Sequence, residues 1–186
     1  MKVRVPHIFV DHKVNPSSEI LILGTFNPKT EANDADFFYS RKNVRRPNSL
    51  WKLLPKAFGF DDMMQQSRES KISWMLKQKI DFTDLISEVE VEEDEEANYF
   101  DDYIDKNITK WNDVIGLLDN LPNIKAVFLT RKTVNSSISN MREKIFEIQD
   151  YCEKNNIRFE LLKTPARGYS EKKQLEWDNK INLKQL

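Results

Sequence analysis

The 186-residue chain holds one cysteine, two histidines and four glycines, and each scarcity excludes something. The lone Cys152 has no partner for an intramolecular disulfide, which fits a reducing compartment and points to the cytoplasm. It lies in IQDYCEKN, a helix-like segment with no histidine beside it, so an inert buried thiol is expected rather than a nucleophile. His7 and His12 stand outside any Cys/His/carboxylate array, so no metal is expected. Asp11 beside His12 is weak evidence for acid–base chemistry. Gly24-Thr25-Phe26-Asn27-Pro28 is too poor in glycine to cradle a phosphate. Neither a Walker pattern nor a dinucleotide fingerprint occurs anywhere, and no cofactor is expected. The N-terminal MKVRVPHIFVDH lacks a long apolar run, so neither a signal peptide nor a membrane span is expected.

What is present is ordinary in bulk and uneven in detail. Hydrophobic residues make up 39% of the chain and charged residues 32%, a composition that suits one globular domain spanning residues 1–186. With 29 basic against 30 acidic residues the net charge is -1, so any attraction to nucleic acid must come from local charge. That charge is segregated. Arg41, Lys42, Arg45 and Arg46 fall within six residues, whereas Glu88 to Asp102 carries nine carboxylates and no lysine or arginine. The acidic run is too charged to pack and is expected to form a loop insertion or lid over about 88–102.

The hydrophobic pattern alternates between strands and helices. ILIL closed by Gly24 reads as a strand buried on both faces. Asn48 or Ser49 can cap a helix running to about Phe58. Ser67 to Gln78 reads as a second helix with Ile72, Met75 and Leu76 inward, and IDFTDLI as another strand or its exit turn. Thr109 to Leu121 reads as helix, AVFLT as a second core strand, and Lys132 to about Asn155 as mostly helix. RFELL reads as a further strand, and a last helix begins at Ser170. This alternation predicts a parallel, three-layer α/β sheet.

The polar residues between Ile20 and Leu54 carry the chemistry. Asn27 before Pro28 is biased to extended backbone and either organises a turn or presents its amide at the sheet edge. Phe37, Phe38 and Tyr39 cannot all face one core on any regular element, so at least one ring is expected to face solvent or a ligand, with ordinary core packing the competing reading; stacking a base on such a ring is worth ~1–3 kcal/mol. The adjacent basic cluster could neutralise phosphates. Asp84 either acts as a base or anchors a turn.

Together these residues resemble the uracil-DNA glycosylase superfamily, most closely its mismatch-specific uracil and hypoxanthine branches. Those proteins follow their first strand with a Gly-x-Asn-Pro-like motif, then an aromatic, then a Pro-x-Asn-x-Phe-Trp-like motif that opens a helix. Gly24, Asn27 and Pro28 match the first with one residue inserted. Phe37, Phe38 or Tyr39 match the aromatic, and Pro47, Asn48 and Trp51 match the last, with Leu50 in place of Phe and Pro47 one place closer. KIDFTDL, AVFLTRKTV and LLKTPARGYSEKKQLEW resemble the later strands, the substrate-wedge loop and the last helix. The resemblance departs at Lys29, where many relatives have Gly. It departs again at Thr164, Pro165, Ala166, Arg167 and Gly168, where the family carries His or Asn and serine-rich turns.

The resemblance implies a three-layer α/β/α sandwich with a parallel four-stranded sheet and a site at the strand C-terminal ends. It implies a monomeric, cofactor-free enzyme that excises uracil or hypoxanthine from duplex DNA by hydrolysing the N-glycosidic bond, after flipping the base out of the stack. Asn27 and Asn48 would orient the attacking water or read the base edge. Phe26, Phe38 and Tyr39 would bind the base, with Phe38 stacking on it. Arg41, Lys42, Arg45, Arg46 and Arg167 would hold the DNA. The alternative is a catalytically inactive protein of this fold that binds nucleic acid, a base or a nucleotide, with the acidic stretch meeting a basic partner or shielding the arginines.

Overall fold

The computed structural model describes residues 1–41, 47–96, 98 and 100–181. Its centre is a four-stranded sheet in the order β3 (Ile80–Asp84), β2 (Ile20–Gly24), β6 (Ala126–Leu129) and β7 (Arg158–Leu161). All three pairings are parallel: Ile20 faces Ile80 and Ala126, and Ala126 faces Arg158. Every residue of β2 is buried, as a strand covered on both faces requires. Period-two alternation splits its side chains, with Leu21 and Leu23 in one apolar cluster and Ile20 and Ile22 in the other.

Helices fill both clusters. On one face α5 (Ser139–Lys154) contributes Met141, Ile145, Ile148 and Cys152, and α4 (Val114–Asp119) contributes Val114 and Leu118. On the other, α1 (Leu50–Ala57) contributes Leu50, Trp51, Leu53 and Leu54, α2 (Arg68–Gln78) contributes Trp74 and Met75, and α6 (Glu171–Lys180) contributes Trp177. The three-layer sandwich is therefore as expected. In α2 the inward set shifts: Leu76 is half exposed, and the Trp74 ring takes the core position, edge-on to Trp51 at 6.3 Å. Ser67 accepts from the Ser70 amide to start that helix, and Lys79 in left-handed backbone ends it.

The acidic stretch is not a loop in its first part, which continues a strand as far as Glu92, beyond which Glu93–Glu95 is a single 3-10 turn. Ile86–Glu92 is a strand, β4, lying between β1 (Lys2–Pro6) and β5 (Ile108–Trp111) in a small antiparallel sheet. Counting charge hid the alternation in ISEVEVE. Ile86, Val89 and Val91 are buried in the first cluster, while Glu88 and Glu90 are half exposed and Glu92 is exposed. One face of an antiparallel sheet can stay in water, and there carboxylates need no burial. Arg4 lies 3.6 Å from Glu90, and the Thr109 hydroxyl donates to Glu88. Farther along, α3 (Asp101–Lys106) buries Ile104 and Asp105, and Asp105 accepts from the Asn140 and Met141 amides to cap α5.

The segment expected to be one helix from Thr109 to Leu121 divides in two. The β-branched Ile108 and Thr109 pair with β4, and Asp113 accepts from the Gly116 amide to begin α4. The β4 assignment is checked by two substitutions in urea unfolding. Val89→Ala should destabilise by about 1–3 kcal/mol, and Glu90→Gln should stay within about 0.5 kcal/mol of wild type.

Candidate active site at the carboxyl edge of the parallel sheet

All four parallel strands end on the same edge, so the turns after Gly24, Asp84, Leu129 and Leu161 gather there. Asp84, at the end of β3, and Tyr39, from the chain that follows β2, close on Gly24. A Cβ on Gly24 would collide with Asp84 Oδ1 and Tyr39 Oη, so only glycine allows the strand this close approach.

Asp84 is buried at 4% exposure and His7 at 2%. His7 Nε2 lies 2.5 Å from Asp84 Oδ2, and His7 Nδ1 accepts the Phe9 amide at 3.0 Å. A ring nitrogen that accepts carries no hydrogen, so in this arrangement Nε2 bears it and donates to the carboxylate. Asp84 Oδ1, by contrast, has no hydrogen-bond partner among the described residues. Tyr39 comes to the same place with left-handed backbone at φ 58°. Thr130 Oγ1 gives its hydrogen to the Leu23 carbonyl at 3.2 Å, so the Tyr39 hydroxyl is the donor in the 2.9 Å bond to Thr130. Burial, and then the charge of Asp84, push the Tyr39 phenol well above its ordinary pKa. His7 was missed in the sequence because seventy-odd residues separate it from its partner; the signal was a strand-ending aspartate after an alternating run.

The two asparagines are organised differently from one another. Asn27 Oδ1 accepts from Asn33 Nδ2 at 2.7 Å, and the same nitrogen donates to the Pro28 carbonyl. The Asn27 carbonyl accepts from the Ile8 amide, which ties this turn to the chain that bears His7. Asn48 Oδ1 accepts from the Leu50 amide at 2.9 Å, opening α1. Its neighbour Ser49, buried, donates both its amide and its hydroxyl to the Pro165 carbonyl, at 2.9 and 2.8 Å. Asn48 is thereby held against the loop that carries Arg167.

That loop is clamped and basic. Lys173 Nζ donates to the Ala166 and Gly168 carbonyls at 2.6 and 2.7 Å, and the Trp177 indole donates to the Lys163 carbonyl. Arg167 and Gly168 both take left-handed backbone, which turns the exposed Arg167 outward. Burial, followed by the charges of Arg167 and Lys163, lowers the Lys173 pKa. Lys52 sits 4.3 Å above the Tyr169 ring.

Other expected site residues lie elsewhere. Phe38 is buried and stacks on Phe82 at 5.5 Å with Phe9 at 4.7 Å, so its ring is core in this structure and offers no open face. Phe26 is half exposed, its ring 5.9 Å from His7. Arg41 donates to the Ala32 carbonyl at 2.9 Å, holding its own loop. Lys42, Arg45 and Arg46 fall outside the described residues. His12 bonds Asp81 at 2.7 Å and takes part in no metal cluster among the described residues. No helix among the described residues is long and apolar enough to cross a membrane.

This arrangement of a parallel four-stranded sheet between helices, with its polar turns at one edge, has a counterpart among solved structures. The chain is similar to the solution NMR structure of a "putative uracil DNA glycosylase" from Methanosarcina acetivorans, with a TM-score of 0.59 and 17% identity over 90% of this chain and 91% of that one. At that identity the likeness is one of fold. No protein-family model matches the sequence, and no curated protein matches it.

Cys152 takes no part in the site. It is fully buried on α5, and burial pushes its thiol up to about 11. Only the thiolate reacts, so at pH 8 the native protein should resist a thiol-modifying disulfide reagent, with full labelling after unfolding in urea. Rapid labelling of the native protein would contradict this placement.

Proposed function

We propose that the protein is a monofunctional DNA glycosylase of the uracil-DNA glycosylase superfamily, excising uracil or hypoxanthine from duplex DNA. The observation that carries this reading is the tie from Ser49 to the Pro165 carbonyl. It fixes Asn48 and the Arg167 loop together at the carboxyl edge of the sheet, the same edge at which β2 opens into the Asn27 turn. A glycosylase needs that combination: amides to read or orient at a pocket, beside a rigid cationic wedge that contacts the opened duplex.

The roles follow from the groups available. Asn27 has its carbonyl oxygen engaged by Asn33, so its amide nitrogen would donate to a carbonyl of the flipped base. Uracil and hypoxanthine both present such an oxygen where cytosine and adenine carry an amine. Phe26, the half-exposed aromatic of the turn, would supply the stacking face in place of Phe38. Arg167, with Lys163 and Lys173 behind it, would contact phosphates or the groove; Lys42, Arg45 and Arg46 would extend that contact. The leaving base departs as an anion, and the positive field of this loop favours that charge in the transition state. The single domain would act as a monomer, without a cofactor.

A second reading keeps the fold and the DNA contacts without the cleavage. The closed packing of Phe38 on Phe82 favours it, because the ring expected to clamp a base is already occupied.

A panel of duplexes carrying uracil, hypoxanthine, xanthine or mismatched thymine, assayed for abasic product, separates the two. The expected result is abasic product from uracil or hypoxanthine, with Asn27→Ala and Asn48→Ala each at least tenfold slower. Binding without product on any duplex would establish the second reading instead. Arg167→Ala should weaken duplex binding at all sequences and lower the salt slope by about one. An unchanged slope would remove Arg167 from the interface.

A further inference from the structure

Asp84, which the sequence offers as a base or a turn anchor, has no part in the glycosylase roles proposed above, and its carboxylate is partnered on one side only. One oxygen is held by His7, and the other, buried, has no donor among the described residues. A buried acceptor left unmade is costly, ~1–3 kcal/mol and more for a charged group, and a catalytic role or a bound water is among the reasons a protein keeps one. Tyr39 Oη comes to the same spot above Gly24, and its hydrogen is already committed to Thr130. Two oxygens that can only accept therefore converge where a small molecule with two hydrogens to give would satisfy both. Water has that chemistry.

We propose that Asp84, oriented by His7, is the base that positions and deprotonates the attacking water. This rests on the glycosylase reading and deepens it. The side-chain oxygens of Asn27 and Asn48 already accept from Asn33 and the Leu50 amide, which makes them poorer water acceptors than a carboxylate oxygen with none. Asp84 pairs with Gly24, the residue that leads into the half-exposed Thr25 to Asn27 turn that would receive the base.

The step balances with water alone. The C1′–N bond breaks and its electron pair leaves with the base. The water oxygen bonds C1′ as its proton passes to Asp84 Oδ1. The base anion then takes a proton from solvent, giving an abasic site and a free base. His7 acts on Asp84 and touches no substrate, so it is a positioning residue.

Asp84→Asn tests the assignment. The amide oxygen keeps the bond from His7 Nε2 while the amide nitrogen, a donor, replaces the free acceptor. Under single-turnover conditions on a uracil or hypoxanthine duplex, excision should fall at least about 100-fold, the usual scale of a lost acid–base group. Affinity for the same duplex should stay within about threefold. An excision rate within threefold of wild type would overturn the assignment and leave the glycosylase reading standing. A parallel loss of rate and affinity would overturn it in favour of a role in binding. Wild-type protein that excises no base would overturn both readings together. If circular dichroism shows Asp84→Asn unfolded, Tyr39→Phe decides the matter, because it removes only the second acceptor. About tenfold slower excision at unchanged affinity supports the assignment, and an unchanged rate overturns it.

Discussion

The carboxyl edge of the parallel sheet depends on one constraint: β2 is a strand with no solvent face, and it ends in a residue that must have no side chain. Burial of Ile20 to Gly24 puts apolar clusters on both sheet faces, each buried Leu or Ile side chain contributing about 1.5–3 kcal/mol. The strand's neighbours then bring Asp84 and Thr130 level with its end. Gly24 lets the Asp84 carboxylate and the Tyr39 hydroxyl close over the backbone. A side chain there would displace both, and with them the contact through His7 that joins the β1 end to the parallel sheet.

The core was legible in the sequence because it follows local rules. The ILIL and AVFL runs have the continuous apolarity of doubly covered strands, and Ser67 and Ser170 stand where caps belong and accept from the amides three residues on. The N-terminal strand and the β4–β5 sheet were not. Lys2–Pro6 is short, with its only buried residue at Val5, and in Glu88 to Asp102 the sum of charge outweighed its spacing. Val89 and Val91 were the evidence, one residue apart from each carboxylate.

Of the site, the asparagine turn and the Pro165 loop could be addressed from motif order, since each follows a strand or opens a helix. The His7–Asp84 pair could not. His7 lies just past β1 and Asp84 ends β3 in the parallel sheet, and nothing local marks a histidine whose partner lies on a strand far along the chain. Phe38 shows the converse limit: three adjacent aromatics imply that one ring escapes the core, but not which. Here Phe37 and Phe38 go inward and Tyr39 turns to the sheet edge through a left-handed backbone, a conformation no pattern of hydrophobicity specifies.

The near-neutral net charge and the acidic antiparallel sheet leave little long-range attraction for DNA, so on the proposed reading binding would fall to the basic loop around Arg167 and to short-range contacts. Such a protein would gain its selectivity from the base it accepts rather than from the backbone it meets. The most direct measurement is therefore the release of free base. Wild-type protein in excess over a duplex with a single uracil or hypoxanthine should liberate the intact base, seen by mass spectrometry, in step with loss of the lesion strand. A duplex that is bound, yet yields no free base of either kind, would contradict a catalytic site at this edge.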